Sequence, residues 1–345
     1  MAQAYEADVA TDSGSSRPRG ADASGRFGRF RRYRVFGDGM WRRGIITAVL
    51  ALSVAVVMTF HGAVPNQVGN LGSLLETFLP WFGIALPVLL VVGLLRRSAT
   101  ALIALALPAV VWVHFFGGLL TDKDTGEGDL TVLTHNVNAD NPDPGRTAQA
   151  LAGSGADLIA LEEIPAGKAS VYESGLKARY PYHSRLGTVG LWSRYPLTQV
   201  RPVDIRLGWT RALRATAATP RGKVAVYVAH LPSVRVKFNA GFTAGQRDRS
   251  ADALGEAVAD EKLPEVILMG DLNGTMNDRA LANITSQMRS TQGAAGRGFG
   301  FSWPARFPTA RIDQILVRGV EPTDSWVLPA TGSDHRPVAA KVALP

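Results

Sequence analysis

The chain has no cysteine, so it can build neither a disulfide framework nor a thiolate metal site. It also lacks a Gly-x-Ser-x-Gly elbow, and with it the usual serine or cysteine nucleophiles of covalent hydrolysis. No internal repeat or low-complexity tract follows Leu130. Charge is missing locally as well. Three apolar runs, Gly44–Phe60, Phe78–Leu95 and Ala99–Leu120, contain no Asp, Glu, Lys or Arg. What the chain does have is a basic excess, with 37 Lys+Arg against 29 Asp+Glu and a net charge of +8. That balance suits anionic partners such as phosphates, nucleic acid or anionic lipid, and equally an ordinary solvated basic surface.

Each apolar run is near the ~20 residues a helix needs to cross the hydrocarbon core. Pro80 and Pro87 in the second run are tolerated in such helices. The expectation is three transmembrane helices at about 44–60, 78–95 and 99–120. Residues 1–43, rich in Gly, Ser, Ala and Arg, read as a disordered basic tail. Residues 121–129 read as a linker and 130–345 as the folded domain.

Topology follows from the positive charges. Arg42 and Arg43 precede the first run, and Arg96 and Arg97 separate the second from the third. The segment His61–Thr77 has no Lys or Arg. The positive-inside rule then places the tail and the Arg96–Arg97 loop in the cytoplasm, and the domain outside the cell.

From Leu130 the pattern is that of an α/β protein. LTVLTHNV, DLIALEEI, VGLWSRYPL, RALRATAAT, KVAVYVAHL, EVILMGDLN, ARIDQILVRG and PVAAKVAL read as strands. RTAQALAGSG reads as a short helix ending at glycine, and residues 244–262 as an amphipathic helix. Several strands end in carboxylate, amide or imidazole groups: Asn136 and Asn138, Glu163, His230, Asp271 and Asn273, Asp313, and Ser333, Asp334 and His335. Ends of buried strands are where α/β proteins build sites. Carboxylate and amide oxygens suit Mg²⁺ or Mn²⁺ better than zinc. Taken singly, each has a plainer reading: Asp313 as a salt-bridge residue, His230 as a strand-end histidine. His135 alternates to the other strand face and reads as structural, His183 as surface, and Arg211 and Arg214 as solvated.

The motifs NV (Asn136–Val137), LEE (Leu161–Glu163), SRYPL (Ser193–Leu197), HL (His230–Leu231), GDLN (Gly270–Asn273), RID (Arg311–Asp313) and SDHRP (Ser333–Pro337) occur in one order. That order resembles the endonuclease/exonuclease/phosphatase superfamily. The resemblance implies a four-layer, DNase-I-like α/β sandwich with mixed sheets and a Mg²⁺-dependent phosphoesterase activity. The whole chain, with its anchor, also resembles the VanJ-type membrane proteins of actinobacteria associated with teicoplanin resistance.

The resemblance further implies roles. Glu163 is the main metal carboxylate, with Asn136 and Asp334 beside the metal. Asp271 orients or deprotonates the attacking water, and Asn273 holds a phosphate oxygen. His335 donates to the developing charge while Asp313 fixes its tautomer. His230 contacts phosphate or assists the leaving group. Asn138 is a further candidate. Glu162 stands where the family usually has Gln, and adds negative charge near the metal. The expected partner is a phosphorylated lipid at the outer membrane face, such as undecaprenyl diphosphate or a lipid-linked wall precursor, in preference to nucleic acid. Two alternatives stay open: a membrane-tethered extracellular nuclease, and a non-catalytic protein that binds antibiotic or precursor.

Overall fold

The computed structural model describes residues 39–66, 70–126, 128–234 and 244–345. Most of the expected basic tail, including Arg26–Arg34, lies outside the described residues.

The apolar part folds into α1 (Ile45–Thr59), α2 (Leu71–Thr77), α3 (Ala85–Leu95), α4 (Ala99–Ala104) and α5 (Ala106–Phe116). The described residues do not show three full spans. Ala99–Leu119, 21 residues, is the one helix among the described residues that is long and apolar enough to cross a membrane. The second run belongs to a pair, Leu71–Thr77 and Leu79–Leu95, bent by 65°. The bend falls beside Pro80, which has no amide hydrogen to continue the helical ladder. α1 has only 15 residues, about 22 Å at 1.5 Å per residue. Ile46, Val56, Val88, Val91, Ile103 and Val110 on these helices are all exposed.

The two ends of this helical unit differ. At one end Arg96 Nε donates to the Arg43 carbonyl (2.7 Å), and Thr100 Oγ1 to that of Trp41 (2.7 Å). At the other, Met58, Leu79 and Phe116 pack with Phe299 of the domain. Trp81 Nε1 donates to the Thr309 carbonyl at 2.7 Å. The arginine-bearing ends therefore cluster away from the domain, and the segment around α2 lies against it.

The domain contains β1 (Leu130–Asn136), β2 (Leu158–Glu162), β3 (Tyr182–Leu186), β4 (Val189–Ser193), β5 (Leu197–Pro202), β6 (Ala212–Thr219), β7 (Gly222–Ala229), β8 (Val266–Asp271), β9 (Arg289–Ser290), β10 (Asp313–Arg318), β11 (Glu321–Val327) and β12 (Val338–Ala343). They form two six-stranded sheets, ordered β11-β12-β1-β2-β4-β3 and β5-β6-β7-β8-β10-β9. Both sheets are mixed: β1 runs parallel to β2 and antiparallel to β12, and β7 runs parallel to β8 while β10 opposes it. The run VGLWSRYPL is two strands, not one. Ser193 Oγ accepts from the Tyr195 amide (2.8 Å) and donates to the Tyr195 carbonyl (2.7 Å), a local turn that sends the chain to the second sheet.

Helices α6 (Pro144–Ala152) and α7 (Ala169–Leu176) cover the first sheet, and α8 (Ala244–Ala259) and α9 (Ala282–Thr285) the second. α6 is capped by Asp143, whose side chain accepts from the Arg146 amide, and ends at Gly153, as read from its pattern. The result is the expected four-layer sandwich. Its central layer joins Leu130, Val132 and Ala160 of one sheet to Val226, Met269 and Ile315 of the other.

Candidate active site

Strand periodicity decides which groups enter the site. Side chains two apart share a face. In β1, Leu130 and Val132 point into the central layer, so Thr134 and Asn136 follow them. The same parity carries β2 from Ala160 to Glu162, β7 from Val228 to His230, β8 from Met269 to Asp271 and β10 from Ile315 to Asp313. Register then brings them together, with Asn136 opposite Glu162 and Asp271 opposite Asp313. One end of the apolar layer thus becomes polar.

His335 Nδ1 lies 2.9 Å from Asp313 Oδ2, which also accepts from Ser302 Oγ at 2.5 Å. Burial pulls the His335 imidazole down, but Asp313 and then Asp271 raise it to about 10. The Asp313 carboxyl, though burial pushes it up, is held below its usual range by His335 and Ser302. His335 Nε2 is 3.9 Å from Asp271 Oδ2. Asn136 Nδ2 donates to that same oxygen (3.0 Å), and the Asn273 amide to Asp271 Oδ1 (3.0 Å). Burial is the main cause raising Asp271 to about 7; His335 opposes it and Asp313 adds to it. Ser333 Oγ ties this end together, donating to the Asn136 carbonyl (2.6 Å) and accepting from the His335 amide (3.1 Å).

On the other side of Asp271, His230 Nε2 is 3.6 Å from its Oδ2 and 3.5 Å from Glu163 Oε1. Burial, followed by Arg211 and His335, lowers the His230 imidazole well below its ordinary value, which keeps it neutral. Glu163 leaves the strand with a φ of 58°, a left-handed turn that aims its carboxylate outward instead of back along β2. Asp271, Asn273, His335, Glu163 and Asp334 all line one open cavity of about 610 Å³. Ser73, Leu74, Thr77 and Phe78 of the helical unit line it too.

The reading of Arg211 and Arg214 as solvated is corrected here, and Glu162 and Asn138 have local partners of their own. Glu162 is fully buried and hydrogen-bonded by Thr134 Oγ1 at 2.9 Å. Burial, then Asp313, pushes its carboxyl well above the usual range. Asn138 serves a turn: at a φ of 59° its Oδ1 accepts from the Asp140 amide at 2.9 Å. Arg214 is not solvated; it pairs with Glu261 at 2.9 Å, both side chains 4% exposed. Arg211 also is partly buried. Its carbonyl accepts from the His230 amide, its guanidinium stacks 5.1 Å over Trp209, and Asp271 and Glu163 act on it electrostatically. His135 is buried on the other strand face and bonds Thr331 Oγ1 (2.9 Å), while exposed His183 stacks on Trp192.

Among the described residues, Asp271, Asp313 and His335 offer ligand atoms all within 4.8 Å of one another and could hold a cation. Glu163 and Asp334 line the same cavity as Asp271 and His335.

A two-sheet, DNase-I-like sandwich with histidine and carboxylates gathered at one end of its central layer defines the class. The Endonuclease/Exonuclease/phosphatase family matches residues 133–335, more than half of the chain, and the chain belongs to that family. No curated protein matches it. Among solved structures it is similar to a mannosyl-6-phosphatase of Bacteroides thetaiotaomicron, with 16% identity and a TM-score of 0.52, covering 62% of this chain and 100% of that one. An endonuclease/exonuclease/phosphatase from Bacteroides vulgatus gives 18% identity and 0.53 over 64% of this chain and all of its own. A Staphylococcus aureus beta toxin mutant with bound magnesium ions gives 16% and 0.50, covering 62% and 99%. At these identities the likeness is one of fold.

Proposed function

We propose that this chain is a membrane-anchored, metal-dependent phosphohydrolase. Its substrate is a lipid phosphate or diphosphate, such as undecaprenyl diphosphate or a lipid-linked wall precursor, at the outer face of the membrane. The observation that carries the chemistry is the His335–Asp313 pair facing Asp271 at an open, carboxylate-lined cavity.

The donor set fits a hard divalent cation. Carboxylate oxygens at the cavity, without thiolate, suit Mg²⁺ or Mn²⁺. Glu163 and Asp334, with Asn136 alongside, would hold it; the Asp271–Asp313–His335 grouping is disfavoured because, against the pull of burial, Asp313 and Asp271 raise His335 to about 10, and a protonated imidazole has no lone pair for a metal. When bound, the ion neutralises charge on the phosphoryl oxygens. Asp271, steadied by the Asn136 side chain and the Asn273 amide, orients the attacking water and takes its proton. His335 donates from Nε2 to a phosphoryl oxygen, because Asp313 keeps Nδ1 occupied. Asn273 holds a second oxygen, and neutral His230 stands beside the leaving group.

Three features support the membrane setting. Apolar side chains lie exposed along the helices, one helix is long enough to span, and the arginines sit at the end away from the domain. At the outer face, phosphate esters are carried by lipids. Resemblance to the VanJ-type proteins extends the reading to teicoplanin resistance, since glycopeptides act on the lipid carrier cycle.

The test is phosphate release from undecaprenyl diphosphate in detergent by the full chain, with Asp271→Ala as control. Release by the wild type alone supports the reading. Release from DNA and none from the lipid overturns it in favour of the tethered nuclease. Binding of precursor with no turnover of either overturns it in favour of the non-catalytic protein.

A further inference from the structure

We infer that α2 and Phe78 do more than anchor: they form the specificity wall of the active site and seat the first apolar units of a phosphorylated lipid beside the catalytic groups. This rests on the phosphohydrolase reading above and names how its substrate is selected.

The cavity joins polar and apolar lining. The domain lines it with Glu163, Asp271, Asn273, Asp334 and His335, and with the apolar Val234, Trp303 and Ile312. Leu74, Thr77 and Phe78 line it from the helical unit. A small soluble phosphate ester would fill the polar side and leave Leu74 and Phe78 facing water. A phosphate carrying a hydrocarbon chain covers both, and each apolar contact removes surface from water. A cavity with both kinds of lining therefore matches an amphiphile that carries a phosphate head and a hydrocarbon tail.

The wall is held to the site floor by several side chains, Arg247 first among them. Arg247 is fully buried and ion-paired to Asp278 at 2.6 Å. Its Nη2 donates to Ser73 Oγ of α2 (3.0 Å), and its Nη1 to the carbonyl of Asn273 (2.9 Å). Thr275 Oγ1, two residues further on, donates to the Glu76 carbonyl at 3.1 Å. Gly72 lets this contact close, because a Cβ there would collide with the Arg279 guanidinium and the Val64 carbonyl. A bare membrane tether needs none of these bonds.

The chain direction fits the same role. Immediately after Phe78 the bend leads into Leu79–Leu95, whose Val88, Val91 and Leu94 are exposed. The wall is thus continuous with a segment that meets hydrocarbon. Thr77 also borders a second cavity of about 290 Å³, lined by Phe115, Phe116, Leu119 and Phe299, which extends apolar surface along the domain boundary.

The experiment compares kcat/KM of the purified full chain in detergent for undecaprenyl diphosphate and for the five-carbon isopentenyl diphosphate. In Leu74→Ser and Phe78→Ser the long-to-short ratio should fall by about tenfold or more, while Leu74→Met and Phe78→Leu should keep it within about threefold. An unchanged ratio in the serine variants overturns the inference, as does an equal loss on both substrates, the mark of a merely structural role. A wild type that favours the five-carbon ester overturns it too, yet leaves the phosphohydrolase reading standing. Cleavage of DNA with no release from either diphosphate removes that reading and this inference together.

Discussion

His335 and Asp313 meet at 2.9 Å although 22 positions separate them in sequence, and both side chains are buried. Asp313 opens an inner strand, while His335 sits in the loop before the last one. The pair fixes which ring nitrogen faces the cavity. Asp313→Asn should lower kcat by about a hundredfold to ten-thousandfold with little change in KM, as loss of a positioned acid–base partner does. Steady-state kinetics on a phosphate ester, with circular dichroism to verify folding, is the check. A wild-type kcat would refute the role.

Chelation should abolish hydrolysis, and Mg²⁺ should restore it. The same ion should raise the thermal midpoint of the wild type, since a ligand bound only by the folded state stabilises it. In Glu163→Ala that rise should shrink or vanish. Differential scanning fluorimetry with and without Mg²⁺ measures it, independently of turnover.

The Arg214–Glu261 pair does not line the cavity and gives a stability prediction. Burial pushes the Glu261 carboxyl up, but hydrogen bonds from Arg214, the Leu263 amide and Tyr227 bring it down to about 2 from 4.5. A depressed folded-state value stabilises above the unfolded value and is lost as pH falls through the folded one. Glu261→Gln should therefore be destabilised by roughly 3–5 kcal/mol near neutral pH, because it leaves Arg214 without its charge partner. The gap to wild type should stay constant above pH 4.5 and close progressively toward about pH 2. Thermal midpoints across that range would show it; a gap independent of pH would contradict it.

Gly270 precedes Asp271 with a φ of 147°, and a Cβ there would strike the Ala229 carbonyl. Gly270→Ala should cost roughly 1–3 kcal/mol or more of stability and displace Asp271 relative to His230. The expected signature is a lower melting temperature together with a lower kcat. A midpoint within one degree or so of wild type would show the contact relaxes freely.

Much of the domain was legible in the chain, for a local reason. Alternation along a strand is a nearest-neighbour property, so Leu130, Val132, Thr134 and Asn136 announce one face without any knowledge of the partner. Polar residues continuing the inner face at strand ends could thus be picked out, and Asn136, Asp271, Asp313 and His335 do converge. Glu162 and Glu163 were harder. Strand parity buries the first carboxylate, and one left-handed residue, Glu163 itself, turns the second outward. Arg214 misled because its partner Glu261 lies 47 positions away, and nothing local distinguishes a paired arginine from a solvated one.

The helices show the same division. Hydropathy alone identified three apolar runs, since burial preference is carried residue by residue. It could not show that the second run begins at a 65° bend, nor that the segment before it lines the carboxylate-bearing cavity. By itself, then, the sequence determined the family, the strand-end chemistry and the apolar character of the first third. Tertiary structure decided what those parts face: Arg247 reaching from α8 to Ser73 and Asn273 is a contact between distant segments. Only a folded chain can pay the desolvation of that guanidinium, because only there do Asp278, Ser73 and a carbonyl stand ready to receive it.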